Sequence, residues 1–101
     1  PVNVIGPISA GTNMVVPILI LQPEYPSRAL SRGIEGYVDL AFDISSTGAT
    51  SNIRVVDAEP EGVFARAAIR ALERWKYKVP KTKGVPQGQV DMMTRLRFEL
   101  E

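Results

Sequence analysis

Alternating apolar and polar residues mark one segment of the chain as a half-buried strand. Between residues 36 and 44 every second side chain is large and apolar, and the positions between them carry Tyr, Asp and Ala. A period of two is typical of a strand with one face against a core and the other towards solvent. The pattern predicts a strand from Gly36 to Ile44, whose inward residues are Val38, Leu40, Phe42 and Ile44.

Two further strands follow from similar patterns. A turn at Ser45–Gly48, with Gly48 available for positive φ, precedes a segment from Thr50 to Val56 that predicts the returning strand of an antiparallel hairpin. Alternation returns near the end of the chain and predicts a last strand. One face of that strand carries Met92, Thr94, Leu96, Phe98 and Leu100, and the other carries Asp91, Met93, Arg95, Arg97 and Glu99.

Helical spacing occurs between the hairpin and the last strand. Apolar residues recur there every three or four positions with charged residues between them, which predicts an amphipathic helix lying on the sheet. These apolar residues are Phe64, Ala68, Ala71, Leu72 and Trp75. A second, short helix is predicted from Ser27, as its cap, to about Arg32, and Gly33 ends it.

The order of these elements predicts the fold class. Helix, strand, strand, helix and strand form an α+β domain, a three-stranded antiparallel sheet with two helices packed on one face. Residues 1–13, rich in Gly and Pro, predict a linker, and Met14–Leu21 predicts an extended hydrophobic arm restricted by Pro17. Lys78–Gly88 predicts a loop. We expect the last strand to be a sheet edge, whose backbone groups another extended peptide can pair with.

Composition narrows the function classes. At 101 residues the chain supports one hydrophobic core, and its net charge of +1 is too small for a dedicated nucleic-acid binder. The absence of Cys and His removes disulfides, thiolate catalysis and the commonest metal ligands. The carboxylates of Asp39, Asp43, Asp57 and Glu59 are predicted to be solvating surface groups. We therefore expect a binding domain, with no enzymatic activity, cofactor or metal.

Several short motifs, in order, resemble the C-terminal domain of the TonB family. They are Gln-Pro-x-Tyr-Pro at 22–26, Gly-Ile-Glu-Gly at 33–36, Phe-Asp-Ile at 42–44, Ala-x-Pro at 58–60 and Trp-Lys-Tyr at 75–77. Each motif alone is weak, but together they cover residues 22–101. The resemblance divides the chain into a linker and hydrophobic arm, 1–21, and a TonB-like domain, 22–101.

The resemblance also implies a function and a site. In that family the domain is periplasmic and binds the TonB box and plug of outer-membrane transporters, adding the box as a strand beside the last strand. An inner-membrane anchor joins ExbB and ExbD, and the energy of the proton-motive force supports siderophore, iron or cobalamin uptake. Truncated members form strand-exchanged homodimers. The implied partner-binding residues are Gln22, Pro23, Asp91, Met92, Met93, Thr94, Arg95, Leu96 and Arg97, and the implied core residues are Tyr25, Val38, Phe42, Phe64 and Trp75.

A different class of envelope protein stays open as an alternative. In a TolA-like or peptidoglycan-contacting module, the basic side of the longer helix, with Arg66, Arg70 and Arg74, would supply binding instead of the last strand. A solvated helix face also explains those arginines. The last strand has its own simpler interpretation, as an edge protected by charged residues.

Overall fold

A computed structural model describes the backbone of residues 2–9 and all atoms of residues 15–100. Two helices and eight strands form within these ranges. The helices are α1 (Ser27–Arg32) and α2 (Ala65–Leu72). The strands are β1 (Val2–Ser9), β2 (Val16–Leu19), β3 (Gly36–Ile44), β4 (Thr50–Glu59), β5 (Lys76–Lys78), β6 (Lys81–Thr82), β7 (Val85–Pro86) and β8 (Gln89–Phe98).

The main sheet is antiparallel and has the strand order β1-β8-β3-β4. Three of these strands, β8, β3 and β4, are the strands that the sequence predicts. The predicted α+β class with two helices on one face is confirmed. β3 has the predicted bounds, and β4 continues beyond Val56 to Glu59. Residues 2–9, assigned to a linker by the sequence, instead pair with β8. The division of the chain at residue 21 stays a prediction.

The two helices begin and end partly as predicted. Gly33 ends α1 in the left-handed region at φ 67°, and the N–H of Ile34 donates to the carbonyl of Ala29 at 2.9 Å. The prediction that Ser27 caps α1 is wrong, because Pro26 precedes the helix and no side chain caps it. α2 ends at Leu72, so Trp75 follows the helix after a turn rather than lying within it.

The core lies between the helices and one face of the sheet. Val38, Leu40, Phe42, Phe64 and Trp75 are completely buried. The rings of Phe64 and Phe98 stack with centroids 4.3 Å apart, which joins the start of α2 to the end of β8. The predicted inward residues of β8 are likewise buried from Met92 to Phe98. Burial of this alternating set gives each strand its register, since a shift by one residue would place polar groups inside.

Two small sheets lie outside the main one. The hydrophobic arm forms β2, which pairs antiparallel with β5, and Pro17 lies opposite Tyr77. Residues 78–88 are more ordered than the predicted loop, because β6 and β7 form a short hairpin around Lys83 and Gly84. Both turn residues have positive φ, which explains why the sequence reads as a loop there.

Candidate partner-binding site

The last strand lies inside the sheet. β3 runs along one side of β8, and β1 runs along the other, with Val2 opposite Phe98 and Ser9 opposite Met92. The expectation that β8 is a sheet edge is therefore wrong, because the outer strands of this sheet are β1 and β4. The physical reason is that β1, a segment distant from β8 in the sequence, pairs with the side of β8 that faces away from β3. Its backbone takes the hydrogen-bonding positions that an edge strand would leave free.

The implied partner-binding residues of β8 fall into two sets. Met92, Thr94 and Leu96 face the core with at most 2% of their surface exposed. Asp91, Met93, Arg95 and Arg97 lie on the other face. The first set contributes to a partner contact only through its backbone, whereas the second set also presents side chains at the surface.

Arg95 is held by a network that crosses three strands. Its guanidinium donates to both carboxylate oxygens of Asp39, at 2.6 and 2.9 Å, and lies 4.2 Å from the ring centroid of Tyr37. The hydroxyl of Tyr37 in turn donates to Asp57 at 2.8 Å, and this hydrogen bond raises the pKa of Tyr37. Arg95 thus braces the outer face of β8, β3 and β4 instead of standing as a free cation.

Asp91 is also engaged within the chain. It has a φ of 59°, its backbone N–H donates to Asp43 at 3.0 Å, and its carboxylate accepts from Arg54 at 3.0 Å. The bond from the Asp91 N–H, together with one from the Asn52 amide, lowers the pKa of Asp43. These contacts fix the start of β8 against β3 and β4.

The Gln-Pro segment lies against helix α2 and the core. Gln22 is exposed and Pro23 is buried. Tyr25 packs edge-to-face on Phe64 and Phe98, with ring centroids 5.6 and 5.7 Å away, and its hydroxyl donates to the carbonyl of Ile34. Tyr25 therefore supports the packing of this segment and leaves Gln22 at the surface.

A groove of about 1040 Å³ lies between residues 21–28 and helix α2. Gln22 and Pro23 line it, but none of the implied β8 residues does, so the structure does not gather the two parts of the implied site into one cavity. Its charged lining residues are Arg28, Arg66, Arg70, Arg74, Glu24 and Glu73. The sequence predicts the basic side of α2 but not the groove, because the opposite wall depends on tertiary packing.

The described residues also bear on metal binding and membrane insertion. Among them no group of three Asp or Glu side chains is arranged to hold a metal ion. No helix within the described ranges combines the length and apolar character needed to cross a membrane. β8 accepts an extended segment, β1, along the side away from β3, and this geometry defines a strand-pairing module.

Comparisons with known proteins identify which such module it is. The profile of the family described as "Gram-negative bacterial TonB protein C-terminal" matches residues 21–100. Protein TonB of Klebsiella pneumoniae is 36% identical over 78 residues, which are 77% of this chain and 30% of that protein. Protein TonB of Salmonella typhimurium is 38% identical over 60 residues, 59% of this chain and 25% of that protein.

Solved structures agree with the sequence comparisons. The solution NMR structure of the Pseudomonas aeruginosa TonB CTD superposes with a TM-score of 0.72 at 30% identity, covering 94% of this chain and 95% of that one. The TonB2 protein from Vibrio anguillarum gives a TM-score of 0.66 at 40% identity, covering 90% and 87%.

The chain belongs to the TonB C-terminal family, as its motifs predict. It spans about a quarter to a third of the length of the two curated relatives named above. Family membership confirms the expectation that the chain is not an enzyme, since TonB proteins are energy transducers.

Proposed function

We propose that this domain is the periplasmic coupling module of an inner-membrane-anchored TonB protein. It binds the TonB box of an outer-membrane transporter and passes on energy derived from the proton-motive force, which ExbB and ExbD supply through the anchor. The transporter then takes up a siderophore, iron or cobalamin. The match of the family profile to residues 21–100 carries this proposal.

The proposed contact is strand addition at β8. The side of β8 away from β3 is the position that an added strand would take, and β1 occupies it in the structure. A TonB box therefore binds in place of β1. The pairing of β1 favours such an exchange, because its register with β8 is broken between Ile5 and Ile8. Replacing one backbone ladder by another changes little in hydrogen-bond number, so the resulting affinity is modest and reversible.

The tethered strand competes with the peptide. A segment of the same chain has an effective concentration on the order of millimolar. The apparent affinity for the TonB box is therefore the intrinsic affinity multiplied by the fraction of molecules in which β1 does not cover β8. Weakening β1 without altering β8 is therefore expected to strengthen box binding. This expectation separates exchange at β8 from binding elsewhere on the domain.

A titration of isotope-labelled protein with a synthetic TonB-box peptide, followed by backbone NMR, tests the proposal. We expect amide shifts at Gln22, along β8 and in β1. Two β1 variants, Asn3→Pro and Val4→Pro, sharpen the test, because successive N–H groups of a strand point to opposite sides and one of the two faces β8. The matched controls Asn3→Ala and Val4→Ala keep both N–H groups.

The outcomes are distinct. Tighter box binding in one proline variant, with the alanine controls close to wild type, supports exchange at β8. Shifts confined to other surfaces, or box affinity unchanged in both proline variants, contradict the proposed contact. No shift at millimolar peptide contradicts box binding itself.

A further inference from the structure

The groove beside α2 is lined by arginines that form no ion pair with the described residues. In the described part of the chain, Arg54 and Arg95 form ion pairs with carboxylates, whereas Arg28, Arg66, Arg70 and Arg74 form none. Two glutamates, Glu24 and Glu73, also line the groove; neither forms an ion pair within the described residues, and they are outnumbered by the four arginines. The groove thus combines an excess of positive charge with a concave surface.

Helix stability accounts for Arg70, which lies in the last turn of α2 where the dipole favours a cation, but it does not account for Arg66. Arg66 lies in the first turn of α2, where the helix dipole disfavours a positive charge, and that turn contains no acidic residue. No side chain caps the helix start either. The charge at this end therefore opposes the folding preference of the helix, which indicates that it serves another contact.

The spacing of the arginines matches an extended peptide. Arg66 and Arg70 are four residues apart on α2, which separates them by about 6 Å along the helix axis. Arg74 continues the series in the turn that follows the helix. In an extended peptide, side chains on one face recur every second residue, or about 6.6 Å. Carboxylates at alternate positions can therefore face successive arginines.

The remaining lining fits such a peptide. The lining also contains the apolar residues Val63, Ala67, Ala71 and Pro23. Small side chains at the intervening peptide positions can rest there while the carboxylates meet planar guanidinium groups, which bind carboxylates through paired hydrogen bonds.

We propose that this groove is a second docking site, which binds an extended acidic polypeptide segment with Asp or Glu at alternate positions. It is separate from the pairing positions of β8, because none of the implied β8 residues lines it. Gln22 and Pro23 line the groove and also belong to the implied TonB-box site, so the variants that test the groove change arginines of α2 and of the turn after it, and leave Gln22 and Pro23 unchanged.

Fluorescence anisotropy with dye-labelled model peptides tests it. The probes are a peptide of about ten residues in which Glu and Ser alternate, one of the same composition with all Glu residues in a block, and one in which Lys replaces Glu. We expect the alternating acidic peptide to bind most tightly and to weaken as salt is added. The basic peptide is expected not to bind.

Two charge-matched variants locate the site. Arg66→Gln/Arg70→Gln/Arg74→Gln removes the arginine series, and Lys78→Gln/Lys81→Gln/Lys83→Gln removes the same charge from exposed positions that do not line the groove. We expect about a tenfold loss of affinity in the arginine variant and less than about a twofold change in the lysine variant. Circular dichroism checks that both variants fold.

Three results would overturn the proposal. Equal losses in both variants would show attraction by net charge rather than by a site. Equal binding of the alternating and block peptides would remove the spacing argument. Binding of isolated peptidoglycan through the same arginines, with no binding of the acidic peptide, would assign the groove to an anionic glycan instead.

Discussion

The indole Nε1–H of Trp75 donates a hydrogen bond to the backbone carbonyl of Leu21 at 2.9 Å, across 54 positions of the chain. Trp75 is completely buried, and its ring packs edge-to-face on Phe42 at a centroid distance of 6.4 Å. The bond therefore ties the segment just before Gln22 to the core beside α2. This contact fixes one wall of the groove and the place where the Gln-Pro segment begins.

Replacing Trp75 by Phe is expected to destabilise the domain by about 2–3 kcal/mol, because it leaves a buried gap and removes the donor for the Leu21 carbonyl. Urea unfolding followed by circular dichroism measures this loss, since Trp75 is the sole tryptophan and its fluorescence disappears in the variant. The amides of residues 21–25 are expected to shift as well. A stability close to wild type would show that the hydrogen bond contributes nothing.

Replacing Tyr77 by Phe is expected to have the opposite sign. Tyr77 is 3% exposed, and its hydroxyl has no hydrogen-bond partner among the described residues. A buried polar group without a partner carries a desolvation cost, so Tyr77→Phe is expected to stabilise the domain by about 1 kcal/mol. The same urea series measures it. Destabilisation of that size would indicate that the hydroxyl is hydrogen-bonded in solution.

The same hydroxyl predicts a response to alkaline pH. Burial raises the pKa of Tyr77 well above its ordinary value of 10.0. In the unfolded chain Tyr77 ionises near that value, while the folded chain keeps it neutral, so above about pH 10 the unfolded state binds fewer protons and stability falls. The loss between about pH 8 and pH 11 is expected to be smaller in Tyr77→Phe. Equal losses in both proteins would contradict this.

The sequence predicts the parts of the fold whose burial leaves a periodic pattern. The alternation of Val38, Leu40 and Phe42 is the direct trace of one buried strand face, and β3 follows it from end to end. β1 has no such trace. Its segment contains Gly6 and Pro7 and is paired on one side, by β8, so its strand character depends on a distant partner that no local pattern reveals.

The candidate site divides in the same way. The charges of Arg66, Arg70 and Arg74 can be placed on one helix side from spacing alone. Their position beside Gln22 and Pro23 cannot, because it depends on how residues 21–28 pack against α2. The engagement of Arg95 with Asp39 is similarly hidden, since these residues lie 56 positions apart and meet only through the β3–β8 register.

Gly48 is expected to tolerate no side chain. Its φ is 87°, as the predicted turn requires, and a Cβ there would lie 2.0 Å from the carbonyl oxygen of Tyr77. Gly48→Ala is expected to cost about 3 kcal/mol through this clash and the backbone strain. Gly84→Ala is the matched control, because Gly84 has a similar φ of 80° with no heavy atom within 4 Å, and its expected cost is about 1 kcal/mol. Similar costs at both positions would reduce the effect to backbone conformation.

Arg95→Lys is expected to destabilise the outer face of the sheet although it keeps the charge. Lysine cannot place two parallel donors on Asp39, and it loses the planar contact with Tyr37. The expected loss is about 1 kcal/mol in urea unfolding, and it should persist in moderate salt because the pair is partly buried. Arg97→Lys, on the same face of β8 but exposed, is the control, with an expected change within about 0.5 kcal/mol. Equal effects at the two positions would mean that the Asp39–Arg95 pair contributes no more to stability than an exposed surface arginine.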